Sequence, residues 1–164
     1  RFIIETKIGI KYQFIDTRCL STIRLYKNTT YNKTNRYLSL ANDINKIQKI
    51  KINELDKNKK KSLKKYLQDQ TLQPSGIGNY LACEICAESK LHPNKKITQL
   101  SNKDIENLNK ALKSVHRKAS ESNSYEWFLV FKQNKCKRCK SIISKQKFKS
   151  YEQTSHWCEY CQPL

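Results

Sequence analysis

Apolar residues change their spacing several times along the chain, and each spacing predicts a different kind of element. β-Branched and aromatic residues come close to alternation over residues 1–26, which predicts β-strands. Over residues 46–72 the apolar positions recur at roughly helical spacing, until Pro74 ends the segment because proline disfavours helix in the residue before it. A short amphipathic helix is then predicted from about residue 79 to 89.

A longer helix is predicted to begin at Ser101. Ser101 and Asp104 have the spacing of a capping box, in which two side chains bond the free amide groups at a helix start. One face of this helix, which runs to about Ala119, carries four apolar residues: Ile105, Leu108, Leu112 and Val115. The apolar run YEWFLVFK at 125–132 then predicts a buried strand.

The net charge of the chain indicates which kind of molecule it binds. Lys and Arg number 33 against 14 Asp and Glu, which gives a net charge of +19. Such a charge on 164 residues points to a polyanion, nucleic acid first and an acidic membrane second. The alternative is codon bias in an AT-rich genome, since Lys, Asn and Ile are all abundant. No apolar run approaches the roughly 20 residues that span a bilayer, and the N-terminus does not read as a signal peptide.

Seven cysteines without an export signal favour metal binding in a reducing, intracellular compartment over a disulfide framework. Four of them have the spacing C-x2-C-x18-C-x2-C: Cys136, Cys139, Cys158 and Cys161. Four thiolates form a closed tetrahedral site, so we expect one structural Zn²⁺ ion with no open position for catalysis. The 18 intervening residues suit a β-hairpin, and metal binding should supply most of the folding free energy of residues 133–164.

The remaining cysteines are expected to be buried. CEIC at 83–86 is a further C-x2-C motif, but it falls inside the predicted helix at 79–89. Because free cysteine is commonly buried, core packing is favoured there over a second metal site. Cys19 is interpreted in the same way.

The stretch PSGIGNYL, residues 74–81, combines two glycines with an asparagine at a predicted helix start. Gly76 and Gly78 permit backbone angles and close approach that side chains would block. Free amide groups at a helix start favour an anion, so Asn79 is a candidate for phosphate binding. Asn79 could equally cap the helix. These residues alone leave both interpretations open.

Several motifs in a fixed order resemble the formamidopyrimidine-DNA glycosylase/endonuclease VIII family. They are LQDQTLQPSGIGNYLACEICAESKLHP at 67–93, a second helix, and paired C-x2-C motifs ending in WCEYCQ. The sequence GIGNYL is most similar to the endonuclease VIII branch of the family. FIDTRCLSTIRLY at 14–26, with Asp16 and Arg18, resembles the last strands of the family's N-terminal β-sandwich, and YLSLANDI at 37–44 resembles the link between domains.

The resemblance implies an α+β chain in three parts. Residues 1–45 would be the end of a β-sandwich plus a linker. Residues 46–124 would form a helical domain with a helix–two-turn–helix element, and residues 125–164 a zinc-finger β-hairpin. We expect a monomer that binds damaged double-stranded DNA and no membrane.

The resemblance also implies how DNA is held. Asn79 would donate its side-chain amide to a phosphate beside the lesion, assisted by the turn at Gly78, and the hairpin would contact phosphate on the other side. Such contacts position a protein without reading sequence. Where the family commonly carries an arginine before the third zinc cysteine, this chain has Gln153, a neutral and weaker donor. Looser binding is expected, or help from three nearby residues: Arg138, Lys140 and Lys149.

The family's chemistry uses an N-terminal proline amine as nucleophile and a neighbouring glutamate, and neither has a counterpart here, since residue 1 is arginine. No catalytic residue is therefore assigned. The leading hypothesis is a base-excision repair glycosylase and abasic-site lyase for oxidised bases, of which this chain supplies the part that grips DNA. The first alternative is a catalytically inactive module that binds damaged DNA, and the second is an unrelated, basic zinc-hairpin protein that binds RNA. The residues leave the preferred damaged base open.

Overall fold

The structure, a computed structural model, describes residues 2–15, 43–46, 49–50, 60–72, 74–122, 124–148 and 153–164. The chain divides into two compact units, Arg1–Leu38 and Ser39–Leu164. The predictions for Asp16, Arg18, Cys19 and Lys149 lie outside the described residues, as does most of the proposed link at 37–44. Within the described part of the chain, no helix is both long and apolar enough to cross a membrane.

The first unit contains an antiparallel hairpin of strands β1, Phe2–Glu5, and β2, Lys11–Phe14. Gly9, with φ of +82°, lies in the connecting turn, where its amide donates to the Thr6 carbonyl at 2.9 Å. A glycine adopts this left-handed conformation without the strain that a side chain would add. The predicted strands are thus confirmed over these residues.

Among the residues that the structure describes, the second unit contains three α-helices: α1, Leu63–Leu67; α2, Asn79–Glu88; and α3, Asn102–Glu121. A short 3-10 helix, Ile97–Gln99, precedes α3. The position of α2 agrees with the prediction, but its amphipathic character does not, because every residue from Leu81 to Ala87 is buried. A helix that is covered on all sides belongs to the core, and α2 packs against α1, α3 and the C-terminal hairpin.

Helix α3 confirms the predicted capping box and ends two residues later than predicted. Ser101 Oγ accepts the Asp104 amide at 3.1 Å, and the Asp104 carboxylate accepts the Ser101 amide at 3.0 Å. The four predicted apolar residues form its buried face: Ile105, Leu108, Leu112 and Val115. This face packs on α2 and completes the main core.

The strand predicted at 125–132 is wrong, although Phe128 and Val130 are buried as expected. The segment consists of turns, because three successive backbone amides donate to one carboxylate, that of Glu84 on α2. In a strand, successive residues alternate in direction and bond a neighbouring strand. Here a buried side chain takes the place of that strand.

The C-terminal hairpin pairs strands β3, Ser144–Gln146, and β4, Ser155–Trp157, in antiparallel register. It lies between the two C-x2-C motifs, as predicted. All three residues of β4 are buried, and the strand packs on α2. The hairpin therefore joins the cysteine cluster to the core helix.

Candidate functional site

The four cysteines of the two C-x2-C motifs come together at the base of the hairpin. The sulfur atoms of Cys136, Cys139, Cys158 and Cys161 all lie within 4.8 Å of one another. Four sulfurs bound to one tetrahedral zinc ion lie about 3.8 Å apart, so this donor set fits a closed zinc site. Hydrogen bonds from Ser141 lower the pKa of Cys139 to about 6, whereas burial raises the pKa of Cys158 and of Cys161. A cation bound among the four sulfurs would offset that rise and keep the second C-x2-C motif as thiolates.

The cysteines of CEIC lie outside this cluster, in agreement with the predicted core packing. Cys83 and Cys86 are fully buried in α2. Cys83 packs with Cys136 and Cys158 beneath the cluster, whereas Cys86 belongs to the main core. Burial raises the pKa of both thiols, which keeps them protonated and unreactive.

The N-terminus of α2 is open at Gly78. Gly78 is the N-cap, with φ of −82° and ψ of −175°, and no side chain among the described residues caps the helix there. A Cβ atom added to Gly78 would meet nothing within 4 Å. Asn79 is the first helical residue, so the alternative in which Asn79 caps the helix is wrong. Gly78 is exposed, and the first amides of a helix have no partner within the helix, which suits an anion.

Gly76, two residues earlier, has a structural role instead. Its φ is +85°, and a Cβ atom there would lie 2.5 Å from the Asp43 carboxylate. Its amide already donates to Gln70 Oε1 at 2.7 Å. Only the Gly78 end of the glycine pair is therefore available to a ligand.

Asn79 and Gln153 are brought close together by the backbone of Thr154. The Asn79 side-chain nitrogen donates to the Thr154 carbonyl at 3.1 Å, and one of its two hydrogens remains for another acceptor. The adjacent Gln153 side chain accepts a hydrogen bond from Gln68 at 2.8 Å, and it is exposed. Two residues 74 positions apart in the sequence thus meet where the hairpin reaches the start of α2.

Lys64 supports this junction, and the sequence interpretation missed it. It is fully buried, and its Nζ donates to Ser155 Oγ at 2.9 Å and to the carbonyls of Gln153 and Thr154 at 3.3 and 3.4 Å. Burial lowers its pKa, since the charged form loses hydration. Lys64 stands in the lysine-rich stretch DKNKKKSLKK at 56–65, and only its position between the apolar Leu63 and Leu67 could have distinguished it.

Arg138 lies at the other end of α2. It donates to the Ala87 carbonyl at 2.9 Å and pairs with Glu88 at 3.6 Å. The ten residues of α2 span about 15 Å, so the structure does not bring Arg138 next to Asn79. A cation at a helix C-terminus is stabilising. Lys140 donates to the Lys137 carbonyl at 3.2 Å, within the turn of the first C-x2-C motif.

Comparison with known proteins places these features in one family. A family model described as the formamidopyrimidine-DNA glycosylase H2TH domain matches residues 40–127. The formamidopyrimidine-DNA glycosylase of Mycoplasma genitalium is 28% identical over 95% of this chain and 60% of its own length. Human endonuclease 8-like 3 is 30% identical over 66% of this chain and 19% of its own length. The chain thus spans at most 60% of these curated relatives.

Solved structures give the same result. A complex between Lactococcus lactis Fpg and DNA that contains an abasic site has a TM-score of 0.59 and 25% sequence identity. The match covers 74% of this chain and 48% of that chain.

Proposed function

The chain belongs to the formamidopyrimidine-DNA glycosylase/endonuclease VIII family, and we propose that it grips damaged duplex DNA for base-excision repair. The whole protein would act as a DNA glycosylase and abasic-site lyase on oxidised bases. Within it, this chain would supply the end of the β-sandwich (1–45), the helix–two-turn–helix domain (46–124) and the zinc finger (125–164). A single structural Zn²⁺, held by Cys136, Cys139, Cys158 and Cys161, would fix the hairpin, and the protein would act as a monomer.

The observation that supports this proposal is the open turn at Gly78 and Asn79. A DNA phosphate in front of Gly78 would accept backbone amides at the start of α2 and the free hydrogen of the Asn79 side chain. Gln153 would reach a second phosphate from the exposed side of the junction. Arg138, at the far end of α2, would contribute only to the general positive field of the chain.

Both Gly78 and Asn79 can be tested by binding to a duplex that contains a stable abasic-site analogue. Asn79→Ala should weaken binding by about 1–2 kcal/mol, the scale of one hydrogen bond to a charged group, or roughly 5- to 30-fold. The loss should be the same on every DNA sequence, because a phosphate carries no sequence information. Asn102→Ala is the matched control, since Asn102 is the exposed first residue of α3.

Gly78→Ser separates phosphate binding from folding. The φ of Gly78 is accessible to any residue, and serine is a good N-cap, so the variant should fold like wild type. The added side chain would fill the space in front of the helix, and binding should fall by at least about tenfold, the effect of 1.4 kcal/mol. A Gly78→Ser protein that binds like wild type, or an Asn79→Ala loss that depends on base identity, would show that the phosphate assignment is wrong.

The chemistry is tested separately by borohydride trapping on an abasic duplex. A covalent adduct requires an amine nucleophile, and none of these 164 residues is assigned that role. We therefore expect binding without an adduct from these residues. An adduct would contradict this division of roles, and a preference for RNA over abasic duplex DNA would contradict the repair function itself.

A further inference from the structure

Aromatic side chains form a stack that begins beside the proposed phosphate site. Tyr80, which directly follows Asn79, lies with its ring centroid 5.4 Å from that of Phe128. Phe128 is buried and lies in turn 5.1 Å from Tyr125, with 36° between the ring planes. Two ring-to-ring steps therefore join the start of α2 to Tyr125.

The outer member of the stack is open to solvent. Tyr125 is 73% exposed, although it packs on Phe128. The buried neighbour supports the ring from one side and limits its motion, while most of its surface remains available. A supported, exposed ring of this kind offers a flat apolar surface of the size of a nucleobase.

One ammonium group lies beside Tyr125, and a second lies further along the aromatic stack. Lys137 Nζ donates to the backbone carbonyl of Glu126, the residue after Tyr125. Lys132 Nζ lies 5.8 Å from the ring centroid of Phe131, which packs on Phe128 at 5.7 Å. Together with the net charge of +19 on the chain, these ammonium groups favour a polyanionic strand over an apolar protein surface as the ligand of this platform.

We propose that Tyr125 is a stacking platform for an unpaired nucleobase next to the phosphate held at Asn79. Every base has an aromatic face, so such a contact tolerates any sequence, as does the phosphate contact. A paired base offers its face only to its neighbours in the helix, and the platform therefore selects DNA with an unpaired or unstacked nucleotide. This inference rests on the proposed DNA-binding function and adds a specific ligand to it.

The test compares two duplexes of equal length, one fully paired and one with a single unpaired 2-aminopurine whose fluorescence is quenched by stacking. Wild type should quench the probe and prefer the bulged duplex. Tyr125→Ala should no longer quench the probe, and its affinity for the bulged duplex should fall about tenfold. Its affinity for the paired duplex should stay unchanged. Tyr125→Phe should behave like wild type, because the ring is kept.

The matched control is Tyr12→Ala, because Tyr12 is 59% exposed and lies on strand β2, outside both the aromatic stack and the C-x2-C motifs. Circular dichroism and bound zinc establish that each variant is folded. The stacking proposal is overturned if Tyr125→Ala equals wild type on bulged DNA, or if it weakens both duplexes alike. Failure of the DNA-binding function looks different, because then Asn79→Ala would leave affinity for both duplexes unchanged.

Discussion

Replacing Glu84 by alanine should loosen the segment that connects α3 to the zinc hairpin. Glu84 is 1% exposed, and its carboxylate accepts the amides of Leu129, Val130 and Phe131 at 2.6, 3.0 and 2.8 Å. Burial raises the pKa of Glu84, and the three backbone donors offset part of that rise. No strand among the described residues pairs with this segment, and this one side chain satisfies three of its backbone groups.

The size of the effect follows from those three amides. A buried donor left without a partner costs at least about 1 kcal/mol, so Glu84→Ala should lower the free energy of unfolding of this unit by about 3 kcal/mol. For a unit of this size that corresponds to a fall of about 10 °C in Tm. Glu84→Gln keeps one oxygen acceptor and should lose about half as much free energy.

The assay is amide hydrogen exchange measured residue by residue, with denaturant unfolding alongside. The amides of residues 129–131 should lose protection against exchange in Glu84→Ala. The amides of Leu108 and Leu112 in α3 serve as internal references and should keep their protection. Glu106→Ala, which removes an exposed carboxylate from α3, should leave both sets unchanged. Wild-type protection at residues 129–131 in Glu84→Ala would refute the role of the carboxylate.

Two further predictions concern the metal and pH. Cys158→Ser, or treatment with a zinc chelator, should unfold about the last 30 residues locally while α3 stays helical by circular dichroism, because the proposed zinc ion would supply the folding free energy there. Unchanged zinc content in the variant would contradict the four-cysteine site. His92 is buried, its Nδ1 accepts the Asn94 amide at 3.0 Å, and burial lowers its pKa. The unfolded chain therefore binds this proton at a higher pH than the folded chain, so the free energy of unfolding should begin to fall below about pH 7 and keep falling below about 6.5. Urea unfolding should show a smaller fall in His92→Gln.

Features set by short stretches of sequence could be predicted. The capping box at Ser101 and Asp104 depends on residues three apart, and each C-x2-C motif supplies its own turn. The free helix start at Gly78 is equally local, because it needs only a glycine and no capping side chain. In each case the chemistry that forms the feature lies within one turn of the chain.

Features set by distant residues could not be predicted. The apolar run at 125–132 has the composition of a strand, and only its contact with Glu84, about 45 positions earlier, removes it from that class. Lys64 has the same side chain as the surface lysines around it, and its role depends on a hairpin about 90 positions later. Periodicity and composition carry no information about such partners.

Strand β4 connects the metal cluster to the proposed phosphate site. Thr154, just before β4, accepts from Asn79, and Ser155 accepts from Lys64, whereas Cys158 follows directly after the strand. One end of a three-residue strand is thus fixed by α1 and α2, and its other end by the thiolates. Loss of zinc would free the second end and, through the short strand, displace the carbonyl that orients the Asn79 side chain. The proposed zinc ion would not need to contact DNA to affect phosphate binding, because it would hold the strand against which Asn79 is positioned.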